Sequence, residues 1–147
     1  MVNMKSYAYI VAALLVVVCS STAAAERLTV AVDVANIRSG PDTKFDILWK
    51  VGKYHPLNTI ERSGSWYHFR DFEGDKGWIH KSLINKTPAI ITIQEKCNIR
   101  SGPGTGFKIL FAVEKGVPFK VIKLKGNWIH IRHADGDQGW IHKALVW

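Results

Sequence analysis

Disulfide chemistry has almost no material here: the 147 residues include two cysteines, Cys19 and Cys97. Cys19 lies in an apolar leader, so Cys97 stands without an intrachain partner and the fold must hold without a covalent staple. Five prolines and 12 glycines are too few for a collagen-like or low-complexity chain. At 47% hydrophobic and 22% charged residues, intrinsic disorder is excluded as well. Acid is scarce: 12 Asp and Glu face 20 Lys and Arg, a net charge of +8, which points to an anionic partner or surface. Beyond the leader no segment keeps a 3.6-residue apolar period between caps, which excludes a helical bundle. Long hydrophobic runs are missing too. Tyr7 to Cys19 is uninterrupted, but as a helix it rises only about 20 Å, short of the roughly 30 Å hydrocarbon core.

That run follows Lys5 and precedes Ser20-Ser21-Thr22-Ala23-Ala24-Ala25. A cation, an apolar stretch and small residues ending in Ala-x-Ala, in that order, read as an export signal over 1–25 with cleavage after Ala25. The expected product starts at Glu26, is periplasmic or secreted, and has no stable membrane span once the signal is gone. Export also removes nucleic acid from the expected partners and leaves wall polymers, anionic lipid head groups and acidic glycans.

The remainder is one unit written twice. An offset of 62 positions lays Asn36-Ile37-Arg38-Ser39-Gly40-Pro41 on Asn98-Ile99-Arg100-Ser101-Gly102-Pro103, and Gly77-Trp78-Ile79-His80-Lys81 on Gly139-Trp140-Ile141-His142-Lys143. From Asn36 to Asn85, 26 of 50 positions are identical without a gap, which marks a duplication. Two domains are expected, 26–86 and 87–147. Within each, alternating runs such as Trp128-Ile129-His130-Ile131-Arg132, with turns at Gly64 and Gly126, predict short strands. The expected fold class is therefore all-β. Several strands in so short a unit hide their edges best by curling into a barrel.

The order Asn-Ile-Arg-Ser-Gly-Pro, then Gly-x-Trp, then Gly-Trp-Ile and a terminal Leu resembles the bacterial SH3-like domain, over nearly all of both repeats. The resemblance implies two tandem small SH3-like barrels of a kind found mostly in exported or envelope proteins. Such domains often bind cell-wall peptide or glycan and are often attached to a wall hydrolase. The sequence carries no attached hydrolase, so a free-standing binding or adaptor protein is expected.

Cys97 answers to Ala35 in the sister repeat, so a small buried apolar position is expected there rather than a nucleophile. Arg38 and Arg100 each precede Ser-Gly-Pro; they either hold the loop carbonyls or offer a guanidinium fork to a ligand carboxylate or phosphate. Trp66, His68 and Arg70 alternate with Tyr67 and Phe69, as Trp128, His130 and Arg132 do with Ile129 and Ile131. The Trp-His-Arg face is expected outward or against the other repeat, either packing the barrels together or contacting an anionic or glycan ligand. His68 and His80 would neighbour each other if their strands pair. Two imidazoles per repeat do not make a zinc site, and no metal or cofactor is expected.

The repeats differ in two respects. Tyr54 and Phe72 become Gly116 and Ala134, so one aromatic contact surface is expected in the first repeat alone. The first repeat carries net +2 and the second +5, with Lys115, Lys120, Lys123 and Lys125 close together as a solvated face or an anion-facing patch. The resulting expectation is a non-catalytic binding module for a bacterial envelope component, cell-wall peptidoglycan or an associated anionic polymer. The alternative is an adaptor or sensor docking on an envelope protein, an enzyme or a secretion complex.

Overall fold

A computed structural model describes residues 25–147, and the expected export signal over 1–25, all but its last residue, lies outside the described residues. The described chain is all β apart from two short 3-10 turns. The first sheet contains β1 (Arg27–Val30), β2 (Val34–Arg38), β3 (Ile47–Gly52), β4 (Pro56–Ser63), β5 (Trp66–Arg70), β6 (Lys76–His80) and β7 (Ile84–Asn85), in spatial order β3-β2-β6-β5-β4-β1-β7. The second repeats this with β8 (Ala89–Ile91), β9 (Cys97–Arg100), β10 (Ile109–Val113), β11 (Pro118–Lys125), β12 (Trp128–Arg132) and β13 (Gln138–His142), in order β10-β9-β13-β12-β11-β8.

Closure comes from the chain itself. β6 pairs with β2 and β5, and after one 3-10 turn at Lys81–Leu83 the same segment continues as β7 and pairs with β1. In the second repeat the segment after Lys143–Leu145 does the same, with Thr92 bridged to Val146 and Trp147 N–H donating to Ile91 O at 2.9 Å. Each repeat is thus a small SH3-like barrel with protected edges.

Period-two alternation selects the cores. Ala35, Ile37, Phe69 and Ile79 are fully buried in the first barrel, and Cys97, Ile99, Ile131 and Ile141 in the second. Each buried isoleucine or phenylalanine contributes about 1.5–3 kcal/mol through removal of its side chain from water. Gly77 and Gly139 are glycines for a packing reason: a Cβ at either would collide with the Cγ2 of Ile37 or Ile99 on the paired neighbouring strand.

The two barrels are fastened at several points. The Arg27 guanidinium lies 4.0 Å above the Trp147 ring and donates to Trp147 O at 2.8 Å. Thr29 Oγ1 donates to Thr87 O at 2.6 Å, and Lys115 Nζ stands 3.1 Å from Glu73 Oε1. Between the barrels lies a cleft of about 810 Å³, lined on one side by Trp49, His55 and Phe72 and on the other by Gly116, Pro118 and His133.

Candidate functional site

The hairpin β4-β5-β6 and its counterpart β11-β12-β13 carry the repeated polar and aromatic residues. Core residues alternate inward, so Trp66, His68 and Arg70 share the opposite face, as do Trp128, His130 and Arg132. Strand register then sets the neighbours. Trp66 faces His80 and His68 faces Trp78; Trp128 faces His142 and His130 faces Trp140. The expected His68 with His80 neighbour pair is replaced by two Trp-His pairs, because the hairpin register places each imidazole directly opposite an indole. His68 stacks on Trp78 at 4.7 Å and 8°, and His130 on Trp140 at 4.9 Å and 16°. The other pair in each repeat meets edge to face, at 5.1 and 5.2 Å. Each cluster belongs to its own barrel; the joint between repeats is made by other residues, including Arg27, Thr29, Glu73 and Lys115.

The adjoining strand tells the repeats apart. A bulge at Ile60 in β4, and at Ile122 in β11, resets the side-chain parity midway. Asn58, Glu61 and Ser63 therefore stand opposite Arg70, His68 and Trp66. In the second repeat Lys120, Lys123 and Lys125 stand opposite Arg132, His130 and Trp128. These three lysines belong to the aromatic and imidazole face. Lys115 does not: it is committed to Glu73 at the joint.

The substitution of Glu61 by Lys123 changes the chemistry of one histidine. His68 Nδ1 donates to Glu61 Oε1 at 3.1 Å, since the carboxylate can only accept. His130 Nδ1 is buried with no hydrogen-bond partner. The Lys123 ammonium lies 5.5 Å from the Trp140 ring on which His130 stacks. Desolvation, and then the Lys123 charge, hold the His130 pKa below its usual value. Glu61 was missed as a site residue, although aligning it with Lys123 would have marked it.

A smaller groove recurs in both repeats at the end of this face. Arg38, Trp66 and His80 line one of about 280 Å³; Arg100, Trp128 and His142 line its counterpart of about 250 Å³. Arg38 Nη1 donates to the carbonyls of Thr43 and Phe45, both at 2.9 Å, and Arg100 Nη1 to those of Thr105 and Phe107 at 2.9 and 3.1 Å. Both arginines thus brace the loop while lining the groove. The backbone amides of Ser82 and Ala144 donate to His80 and His142 Nδ1 at 3.2 and 3.1 Å. This fixes the tautomer and leaves each Nε2 as a donor.

Tyr54 and Phe72 do not form one free surface. Phe72 packs edge to face on His55 at 5.9 Å and leans toward the second repeat, where Lys115 Nζ is 6.0 Å from its ring. Tyr54 occupies a turn with φ of 69°, with Lys53 Nζ 5.5 Å from its ring. Cys97 is buried, its thiol donates to Gln94 O at 3.5 Å, and burial raises its pKa. That environment disfavours a thiolate.

The family model for the bacterial SH3 domain matches the chain twice, at residues 31–86 and 94–147. The chain belongs to the bacterial SH3 domain family. This SH3 pair is 28% identical, over 86% of its length, to the Bacillus subtilis protein named "Putative N-acetylmuramoyl-L-alanine amidase YrvJ", and it covers 26% of that protein. It is 40% identical over 61 residues to the Staphylococcus epidermidis protein named "Probable cell wall amidase LytH", covering 41% of this chain and 21% of that one. The SH3 pair therefore spans about a quarter or less of these curated relatives. Among solved structures it is similar to an NlpC/P60 family protein from Bacillus cereus, with a TM-score of 0.40 and 12% identity, over 83% of this chain and 56% of that one.

Proposed function

We propose that this tandem SH3 protein is an exported, non-catalytic module that binds a bacterial envelope component, cell-wall peptidoglycan or an associated anionic polymer, through the β11-β12-β13 face. One observation carries the reading: Lys120, Lys123 and Lys125 share a face with Trp128, His130 and Arg132, where the first repeat has Asn58, Glu61 and Ser63. Cations beside indole and imidazole rings suit anionic groups set along a sugar or peptide backbone. The relatives' names, an N-acetylmuramoyl-L-alanine amidase and a cell wall amidase, support the same choice of polymer.

Sedimentation with purified sacculi tests it. Retention is expected at low ionic strength and should weaken as salt screens exposed charges over roughly 8 Å at physiological strength. Lys120→Glu with Lys125→Glu should weaken it at fixed salt, and Tyr54→Ala, in the turn before β4 of the first repeat, should leave it unchanged. Absence of retention even at low salt would remove wall binding.

A second reading, an adaptor for an envelope protein, is favoured by the exposed apolar residues Phe45, Ile47 and Leu48, which recur at Phe107, Ile109 and Leu110. Capture of one envelope protein with no retention on sacculi would select it.

A further inference from the structure

The two repeats differ at one polar contact. In the first, the Glu61 carboxylate accepts from His68 Nδ1 at 3.1 Å, and His68 is stacked on Trp78. In the second, the same imidazole is stacked on the same indole, as His130 on Trp140, but the position opposite it holds Lys123. The carboxylate is gone, a cation stands in its place, and His130 Nδ1 is left buried and unpaired. Burying such a nitrogen without a partner is costly, and native proteins usually satisfy it with a protein group, water or a ligand. The first repeat shows which group the geometry accepts.

We infer that the second repeat carries a seat for one ligand carboxylate, with one oxygen accepting from His130 Nδ1 and the other paired with the Lys123 ammonium. The first repeat holds the same seat filled from within by Glu61. In effect Glu61 is a built-in copy of the ligand's carboxylate, and only the second repeat is open to a partner.

The surroundings agree with an acid ligand. Lys120 and Arg132 face each other across β11 and β12, Lys125 faces Trp128, and none of these positions carries an acid. The Lys123 side chain is exposed and on the surface, so it can swing from the Trp140 ring to the incoming oxygen. With the anion bound, imidazolium would be favoured at His130, reversing the effect of Lys123 and of burial. The source of the carboxylate, a free peptide terminus of the wall, rests on the wall-binding reading; the seat itself does not.

The experiment is a histidine-ring NMR titration of the expected mature chain, Glu26 to Trp147, with N-acetyl-D-alanyl-D-alanine. Its C-terminal amide lacks the carboxylate, and glycerol phosphate presents a phosphate instead. The dipeptide acid should shift the His130 ring signals and raise the His130 pKa, while the amide should do neither. A response to glycerol phosphate at lower concentration than to the acid would overturn the preference for carboxylate. Lys123→Glu should fill the seat and weaken the response by about tenfold or more, whereas Glu61→Lys should make His68 respond as a second site. The seat is refuted if His130 stays silent at saturating acid, if the amide acts equally, or if Lys123→Glu responds like the parent. Failure of sacculus retention with a responding His130 would remove the wall reading and leave the seat. Retention with a silent His130 would do the reverse.

Discussion

The Phe72 ring of the first repeat rests over Gly116 of the second, with its Cζ 3.7 Å from the place a Cβ at Gly116 would occupy. Gly116 is the counterpart of Tyr54, and Phe72 of Ala134. The two changes that distinguish the repeats in this region thus meet at one joint: the second repeat has lost the side chain that would occupy the space near Phe72. Both turn positions have positive φ, 69° at Tyr54 and 85° at Gly116. Glycine suits that backbone, whereas a tyrosine there costs about 1–2 kcal/mol.

Gly116→Ala is expected to destabilise the protein by about 1–2 kcal/mol, because the left-handed turn disfavours a Cβ. Gly116→Tyr should cost more by displacing Phe72. Urea denaturation of the two variants measures both, and equal stability of Gly116→Tyr and the parent would contradict the packing of Phe72 on this glycine.

Stability should fall in acid through His55, which is 8% exposed and has an Nε2 without a hydrogen-bond partner. Burial lowers its pKa to about 4, partly countered by Glu73, from about 6.5 when unfolded. The unfolded chain therefore takes up this proton first. The contribution is fully present above about pH 6.5 and is lost as pH drops toward 4, by about 3 kcal/mol in full. The lowered pKa of His130 acts in the same direction. Asp71, whose carboxyl burial pushes up, works the other way and favours the folded state as pH falls toward 3.8. Denaturation midpoints from pH 7.5 to 4.5 should decline in the parent and decline less in His55→Val, which copies Val117 of the second repeat.

Arg38→Ala should destabilise the 39–46 loop, and Arg100→Ala the 101–108 loop, by about 1–3 kcal/mol for loss of charge-assisted bonds to two carbonyls. Lysine should not restore them fully, since it lacks the planar fork. Limited proteolysis should map the new cuts to the corresponding loop. Cuts spread evenly over the barrel would contradict this bracing role.

Gly77→Ala should cost about 1–3 kcal/mol by overpacking against Ile37. Gly126→Ala places its Cβ in open space but at φ of 58°, so it should cost only the backbone term, about 1–2 kcal/mol. Combining Gly77→Ala with Ile37→Ala, which removes the colliding Cγ2, should cost less than the sum of the two single losses and leave the Gly126→Ala loss unchanged, as read by thermal denaturation.

The repeat, the strands and the inward residues were legible because they are written locally. A 62-residue offset with 26 identities in 50 positions needs no third dimension. Strand geometry sends alternate side chains to one core, which is why Ala35 and Ile37, or Cys97 and Ile99, are buried together. The role of Arg38 was legible only as a pair of alternatives, because the carbonyls it reaches lie five and seven residues away along a loop whose path the sequence does not draw.

The tertiary structure decided what each face contains. One-residue bulges at Ile60 and Ile122 shift parity inside β4 and β11, and so bring Glu61 to His68 and Lys123 to His130. Register along the hairpin set Trp against His rather than His against His. Packing between barrels brought Phe72 against Gly116 and placed Lys115, still exposed, beside Glu73 at the joint. Composition and spacing determine which side chains are available and which way they alternate along a strand. Which of them meet depends on register, bulges and docking, relations between segments distant in the chain, and those exist only once the barrels have closed.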